Sequence, residues 1–431
     1  MLESYIRKKI SRLFTGEKEI ALNTKIPSLD ELNRKFQDIA ELGLYLHIPF
    51  CEQICPYCPY NKEIYRPDVA KRYAMAVKKE IDFYAEIVGH KPITSFYIGG
   101  GTPTTMLHSG IEDILKHISD TFNMQCEIHI ESHPNHLSSD NLHAIKSLGV
   151  TNLSVGVEAL QDRHLNFLKR PYTANEVLAN VNRAVQKNFK CVNADFIFAL
   201  PDQTYDEIKQ AGQTLVAMGV NQVAAYPLFR FPYTKMGSDA NGNGYKKSTI
   251  FKRRKMLGIL EDIFYHAGFE RTSVWAFTKR GIPKYCSVTV PLYIGLGASG
   301  SSYLEDIFYL NTFNVAGYIN ALENGRMATA LSLDLSENMQ MAGWLYWRIY
   351  ETRFVKKDFH KRFRKDFDSV YGKYLKPLAL LGFLNDDGEQ VVLSDKGTYW
   401  LHAFEDFFSI DYISTLWGTS KQEPWPEKVV L

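Results

Sequence analysis

From Gly43 onward, short apolar and β-branched runs alternate with longer polar–apolar segments of helical period, the pattern of repeated βα units that build a parallel sheet. The predicted strands are Leu44–Ile48, Thr94–Ile98, Cys126–Ile130, Asn152–Val155, Cys191–Phe198 and Gln222–Tyr226. Six such units fall short of a closed eight-stranded barrel. They suffice for an open, partial one, with its working face at the C-terminal ends of the strands. Residues that carry chemistry are therefore expected just after each strand. Beyond Tyr226 the regularity fails: Phe231-Pro232-Tyr233 and Asn241-Gly242-Asn243-Gly244 mark loops, a helical stretch runs from about Ser248 to His266, and Gly295, Gly297 and Gly300 punctuate a tight connection.

Outside this region the pattern changes. Ile6, Ile10, Leu13 and Phe14 fall at helical spacing before a break at Pro27-Ser28. From about Asn338 the order becomes helix, helix, short helix and a two-stranded ribbon, with Leu384, the turn Asp386-Asp387-Gly388 and the run Val391 to Leu393. The expected organisation is a helical N-terminal extension (1–40), a partial barrel (41–230), a barrel extension and connecting segment (231–325), a helical, winged-helix-like C-terminal domain (326–417) and a tail (418–431).

With 431 residues and 45% apolar content, the chain can fill a sizeable core with appended parts. Its formal charge of +2 gives no strong field toward nucleic acid or anionic lipid. No stretch reads as a signal peptide or membrane span. The expectation is a cytoplasmic monomer that takes a small-molecule substrate.

Six cysteines, three of them within eight residues, read as a metal site in a reducing compartment and not as a disulfide framework. Cys126 and Cys191 sit in apolar runs as small hydrophobes. Cys51-Glu52-Gln53-Ile54-Cys55-Pro56-Tyr57-Cys58 follows a predicted strand and sets three thiolates on one loop, suited to three irons of one cubane. The fourth iron is left open, free to take the amino and carboxylate groups of S-adenosylmethionine (SAM). Zinc would want a fourth ligand nearby, and the loop holds none.

Tyr45-Leu46-His47-Ile48-Pro49-Phe50-Cys51, with the spaced cysteines, resembles the radical SAM subgroup of oxygen-independent coproporphyrinogen III oxidase. The resemblance implies an α/β fold: a partial (β/α)6 TIM-like radical SAM barrel with a C-terminal helical, winged-helix-like domain. It implies a 4Fe-4S cluster on Cys51, Cys55 and Cys58, with one SAM or two. It also implies that Gly99, Gly100, Gly101 and Thr102 meet the SAM methionine, that Glu131 is the SAM-binding carboxylate, and that Tyr45 lines the cluster and SAM pocket. Arg170 and Asp195 match the family's pattern, and Glu158 stands where the family usually has glutamine at the SAM ribose contact; the resemblance places all three in the SAM-binding set. Pro291 to Gly300 is similar to the subgroup's glycine-rich segment, and Leu393-Ser394-Asp395-Lys396-Gly397 to its tail.

Two departures bear on the reaction. Tyr60 occupies the place of a further cysteine in the oxidases, and Lys284-Tyr285-Cys286-Ser287-Val288 differs both from the oxidase segment and from the His-Asn and Tyr-Trp arrangement of the related heme chaperones. The expectation is a radical SAM enzyme that cleaves SAM to a 5′-deoxyadenosyl radical and acts on a tetrapyrrole or other unsaturated molecule by class C-type methyl or methylene transfer, with Tyr45 and Cys286 at the reacting centre. The alternatives are oxidative decarboxylation of coproporphyrinogen III and heme carriage. The expected electron donor is a flavodoxin or ferredoxin. His133, His136, Tyr226 and Arg230 follow strand ends, where a second SAM or a substrate would lie.

Overall fold

The computed structural model describes residues 2–25, 27–37, 39–238, 248–283 and 292–431. Strands form at all six expected places: β1 Leu42–Ile48, β2 Pro92–Gly100, β3 Ile128–Ser132, β4 Val150–Glu158, β5 Cys191–Phe198 and β6 Gln222–Pro227. They lie parallel in sequential order, β1 to β6. Helices cross between them, and their starts are written in the sequence. Thr173 with Glu176, and Thr204 with Glu207, form capping boxes that open Ala174–Val185 and Tyr205–Ala217.

Alternation along these strands decides what the barrel holds. Leu44, Leu46 and Ile48 of β1, Ile130 of β3, Leu153, Val155 and Val157 of β4, and Val192, Ala194, Phe196 and Phe198 of β5 join one large apolar core. The residues between them point to the other face and are Tyr45 and His47, Tyr97, His129 and Glu131, Asn152 and Ser154, Asn193 and Asp195, and Tyr226. Register aligns these rows across strands: Tyr45 pairs with Tyr97, Tyr97 with His129, Glu131 with Ser154, and Ser154 with Asn193. A parallel strand buried on both faces would read as continuously apolar. This one keeps a polar lining on its concave side.

The sheet is open. Beyond β6 it continues into Ala276–Lys279 and Phe269–Arg271; beyond β1 it continues through Tyr293–Leu296, Ser301–Leu304, Ile307–Asn311 and Thr329–Asp334. At that end Ala21–Asn23 pairs with both Thr329–Asp334 and Lys428–Val430. The N-terminal segment is thus not purely helical, and the last residues form a strand; pairing across the length of the chain has no local signature. A second apolar core gathers Met341, Trp344, Phe354, Phe359, Phe367 and Val391. There the expected ribbon, Leu384–Asp386 with Gln390–Leu393, gains a third strand, Arg353–Val355. A 28-residue helix, Asp395–Gln422, follows. Among the described residues no helix is long and apolar enough to cross a membrane.

Candidate functional site: a cysteine loop at the mouth of the open barrel

The cysteine loop leaves β1 and is fastened from several sides. Gln53 donates to the Lys169 carbonyl at 2.8 Å, and the Met236 amide donates to the Pro56 carbonyl at 2.9 Å. Lys62 donates to the Cys58 carbonyl at 2.6 Å, and Lys421, from the end of the long C-terminal helix, donates to the Pro59 carbonyl at 2.8 Å. Sequence reasoning missed Lys421, which lies 362 positions from Pro59.

Two of the three thiols carry hydrogen bonds of the kind an iron–sulfur group uses. The Thr102 hydroxyl donates to Cys51 Sγ at 3.6 Å and Arg170 Nη1 donates to Cys55 Sγ at 3.2 Å. Burial pushes Cys51 up to about 12 and raises Cys58 as well, so thiolates persist here only with a strong cationic partner. Hydrogen-bond donors aimed at sulfur are what an iron–sulfur group uses. Among the described residues no three His, Cys, Asp or Glu side chains converge on a single ion. A cubane places each thiolate on its own iron, so its ligands need no such convergence. The donor set fits.

Gly99 to Thr102 closes over the loop. Gly100 has φ +118°, and a Cβ there would lie 2.5 Å from the His47 ring; at Gly101 it would lie 2.7 Å from the Phe50 carbonyl oxygen. Backbone of this segment thus passes against the cysteine-loop strand, with the Gly101 amide on Ile48 and the Thr102 amide on Phe50.

Glu131 accepts from the Tyr97 hydroxyl at 2.6 Å and the Gly100 amide at 3.0 Å. Burial raises it to about 7, against those two hydrogen bonds and with Asp195 and Glu158 adding repulsion. Asp195 accepts from Tyr226 at 2.6 Å, Ser154 at 2.7 Å and Asn193 at 3.0 Å; burial raises it too. Asn193 Oδ1 and Asn152 Oδ1 are buried without a partner among the described residues, so the concave face keeps spare acceptors. Glu158 ends β4 with φ +63° and lies 3.8 Å from Arg170. The carboxylates Glu131, Glu158 and Asp195 thus lie close enough to repel one another, a grouping that favours a cationic ligand.

Tyr45 meets His47 Nδ1 at 3.0 Å, and His47 Nε2 meets the Asn61 carbonyl at 2.9 Å. A carbonyl only accepts, so Nε2 carries the proton and Tyr45 donates to Nδ1. His136 is tied to Thr104 at 2.8 Å and Glu52 at 3.3 Å, while His133 packs edge-on against Tyr172 at 5.1 Å. Burial, then Arg170 and His136, lower His133 to about 2, leaving it neutral. Arg230 is held by the Met236 carbonyl at 3.1 Å. Tyr60, half exposed, shares the mouth with Trp417, ring to ring at 6.1 Å. Cys191 is buried beside Tyr97 and Tyr45, and Cys126 is half buried. Cys286 and its neighbours lie outside the described residues.

Comparison with known proteins bears on the fold and the domain. Residues 45–215 match the Radical SAM superfamily model. The chain is 24% identical to the heme chaperone HemW of Bacillus subtilis over 82% of its own length and 95% of that protein's. It is 23% identical to the oxygen-independent coproporphyrinogen III oxidase of Synechocystis over 85% of each. Coproporphyrinogen III oxidase (HemN) from Escherichia coli shares the fold, with a TM-score of 0.75 at 20% identity, covering 92% of this chain and 95% of that one. The superfamily implies a 4Fe-4S cluster and SAM, and the chain therefore carries a radical SAM domain, with HemW and HemN among the proteins it is similar to.

Proposed function

We propose that this protein is a cytoplasmic SAM-cleaving enzyme that acts on a tetrapyrrole. The observation that carries the proposal is the convergence at one barrel mouth of the cysteine loop, the Gly99–Thr102 backbone and the buried carboxylates Glu131 and Asp195. Cys51, Cys55 and Cys58 would hold a 4Fe-4S cluster, which would supply the electron for reductive cleavage of SAM to a 5′-deoxyadenosyl radical.

The chain's own residues do the rest. Glu131, fixed by Tyr97 and the Gly100 amide, receives the ammonium of the SAM methionine. Asp195, fixed by Ser154, Asn193 and Tyr226, receives a sugar hydroxyl. The apolar shell of helices behind the strands keeps bulk water from the chamber, which strengthens each polar contact. Tyr45 is held as a neutral phenol, its hydroxyl donating to His47 Nδ1.

The substrate class rests on the relatives, which are a heme chaperone and a coproporphyrinogen oxidase. Methyl or methylene transfer finds no support among them, and the oxidase and chaperone alternatives fit better. The segment around Cys286 departs from the oxidase and the chaperone patterns alike, so SAM cleavage is the property that separates the enzyme from a heme carrier. The test is anaerobic incubation of the reconstituted protein with dithionite and SAM, with 5′-deoxyadenosine read by mass spectrometry, beside a hemin titration followed at the Soret band. Production of 5′-deoxyadenosine, increased by coproporphyrinogen III or another tetrapyrrole, is expected. Stoichiometric heme binding without SAM cleavage would replace the enzyme with a carrier.

A further inference from the structure

We propose that Glu158 and Arg170 form an opposed pair of charges that sets the reduction potential of the group on the cysteine loop, Arg170 raising it and Glu158 lowering it. The inference rests on the reading that Cys51, Cys55 and Cys58 hold an iron–sulfur cluster.

Arg170 leaves no freedom to its guanidinium. Nη1 donates to Cys55 Sγ at 3.2 Å, Nη2 to the Gly156 carbonyl at 3.1 Å and Nε to the Tyr172 hydroxyl at 2.6 Å, while the Tyr172 ring lies 5.0 Å beneath it. Tyr172 in turn donates to the same Gly156 carbonyl at 2.7 Å. A fork fixed in this way presents a permanent positive charge and an N–H to one thiolate. Both favour the state with one more electron, because hydrogen bonds to sulfur and local charge are what the protein uses to adjust such potentials.

Glu158 opposes this. Its Oε1 stands 3.8 Å from Arg170 Nη2, with the two side chains only 14% and 8% exposed. At this distance the pair is an ion pair without a close hydrogen bond, so the carboxylate keeps much of its field toward the loop. Burial raises Glu158, and the Arg170 charge, with Tyr57 of the cysteine loop, acts against that rise. Two backbone features exist for this placement. Glu158 adopts the left-handed φ of +63° where the register of the sheet shifts between Gly156 and Glu158. Gly156 supplies the space, since a Cβ there would lie 2.9 Å from Glu158 Oε1 and 3.2 Å from Arg170 Nη2. In the dry interior a charge acts over a longer reach than at the surface. The negative charge makes the loop's group harder to reduce and, once reduced, a stronger reductant.

The test is an anaerobic redox titration of the reconstituted full-length protein, followed by electron paramagnetic resonance in the absence of SAM, with iron content measured on each sample. Glu158→Gln is expected to move the midpoint to more positive potential and Arg170→Gln to more negative. Each shift should change the reduced-to-oxidised ratio at fixed poise by about tenfold, or ~59 mV for one electron. The double variant should return toward the parent. Disturbed packing would drive both single variants the same way, so opposite signs are the signature. Equal potentials in parent and Glu158→Gln, or shifts of one sign in both, would overturn the proposal; should Arg170→Gln lose its iron, Glu158→Gln decides alone. A parent that takes up no iron would instead overturn the cluster reading. A Glu158→Gln protein with weakened SAM binding and an unmoved potential would make Glu158 a SAM ligand and nothing more.

Discussion

Replacing Glu131 with glutamine removes one buried charge from the chamber and keeps the shape of the side chain. In the parent, the carboxylate is oriented by Tyr97 at 2.6 Å and the Gly100 amide at 3.0 Å, so it is placed before any ligand arrives. A hydrogen bond to a charged partner contributes about 1.5–3 kcal/mol, and each 1.4 kcal/mol is about tenfold in affinity. Glu131→Gln is therefore expected to weaken SAM binding by about 10- to 150-fold with iron content unchanged. The pH dependence supplies a sharper check. Burial raises Glu131 to about 7, so the group is protonated below that pH and offers no charge to the ammonium. Parent affinity should then be full above about pH 7 and fall as pH drops, approaching tenfold per unit. The variant should be weak and flat over the same range. Anaerobic calorimetry with SAM between pH 6 and 7.5, on both proteins, reads both quantities. If parent and variant share one pH profile, Glu131 does not receive the ammonium and the reasoning fails.

Alanine at any one of Cys51, Cys55 or Cys58 should abolish both the brown chromophore and SAM cleavage; a single variant with full iron and turnover would remove the cluster assignment. Gly101→Ala puts a Cβ 2.7 Å from the Phe50 oxygen and 2.9 Å from its nitrogen, both backbone atoms. The cysteine-loop strand must then shift, at about 1–3 kcal/mol by analogy with overpacked cores, read as a lowered denaturation midpoint with poorer iron loading. Thr204→Ala removes the hydroxyl of a capping box far from the loop, and should cost about 1 kcal/mol in urea unfolding with iron and SAM binding unchanged.

Much of the barrel is legible because its signals are local. Each strand is a short apolar run between helical segments, and site residues such as Glu131 and Asp195 lie within the run that positions them. The three cysteines share one loop, which needs no tertiary information. Other features depend on distant partners. Lys421 reaches the cysteine loop from the far end of the chain, and Ala21–Asn23 becomes a strand only because Lys428–Val430 and Thr329–Asp334 lie beside it. The third strand of the C-terminal sheet, Arg353–Val355, is three residues long and is fixed by its ladder to Gln390–Leu393. His136 follows a strand as a free ligand would, yet Thr104 and Glu52 already occupy both ring nitrogens.

The polar lining was present in the sequence as a departure from the usual parallel strand. Asn152 and Ser154 in β4, and Asn193 and Asp195 in β5, interrupt runs that would otherwise be apolar throughout. A polar group taken from water without a partner is costly, so four such residues on adjacent strands imply a shared network or a ligand. The structure supplies the network in part: Ser154, Asn193 and Tyr226 satisfy Asp195. It leaves Asn193 Oδ1 and Asn152 Oδ1 buried without partners among the described residues. A fold selected for stability alone would have placed valine or isoleucine at these positions, adding about 1.5–3 kcal/mol for each side chain fully buried. The interruptions therefore mark where the chain gives up core for a chamber, and the same period of two that builds the sheet also separates its packing face from its chemical one.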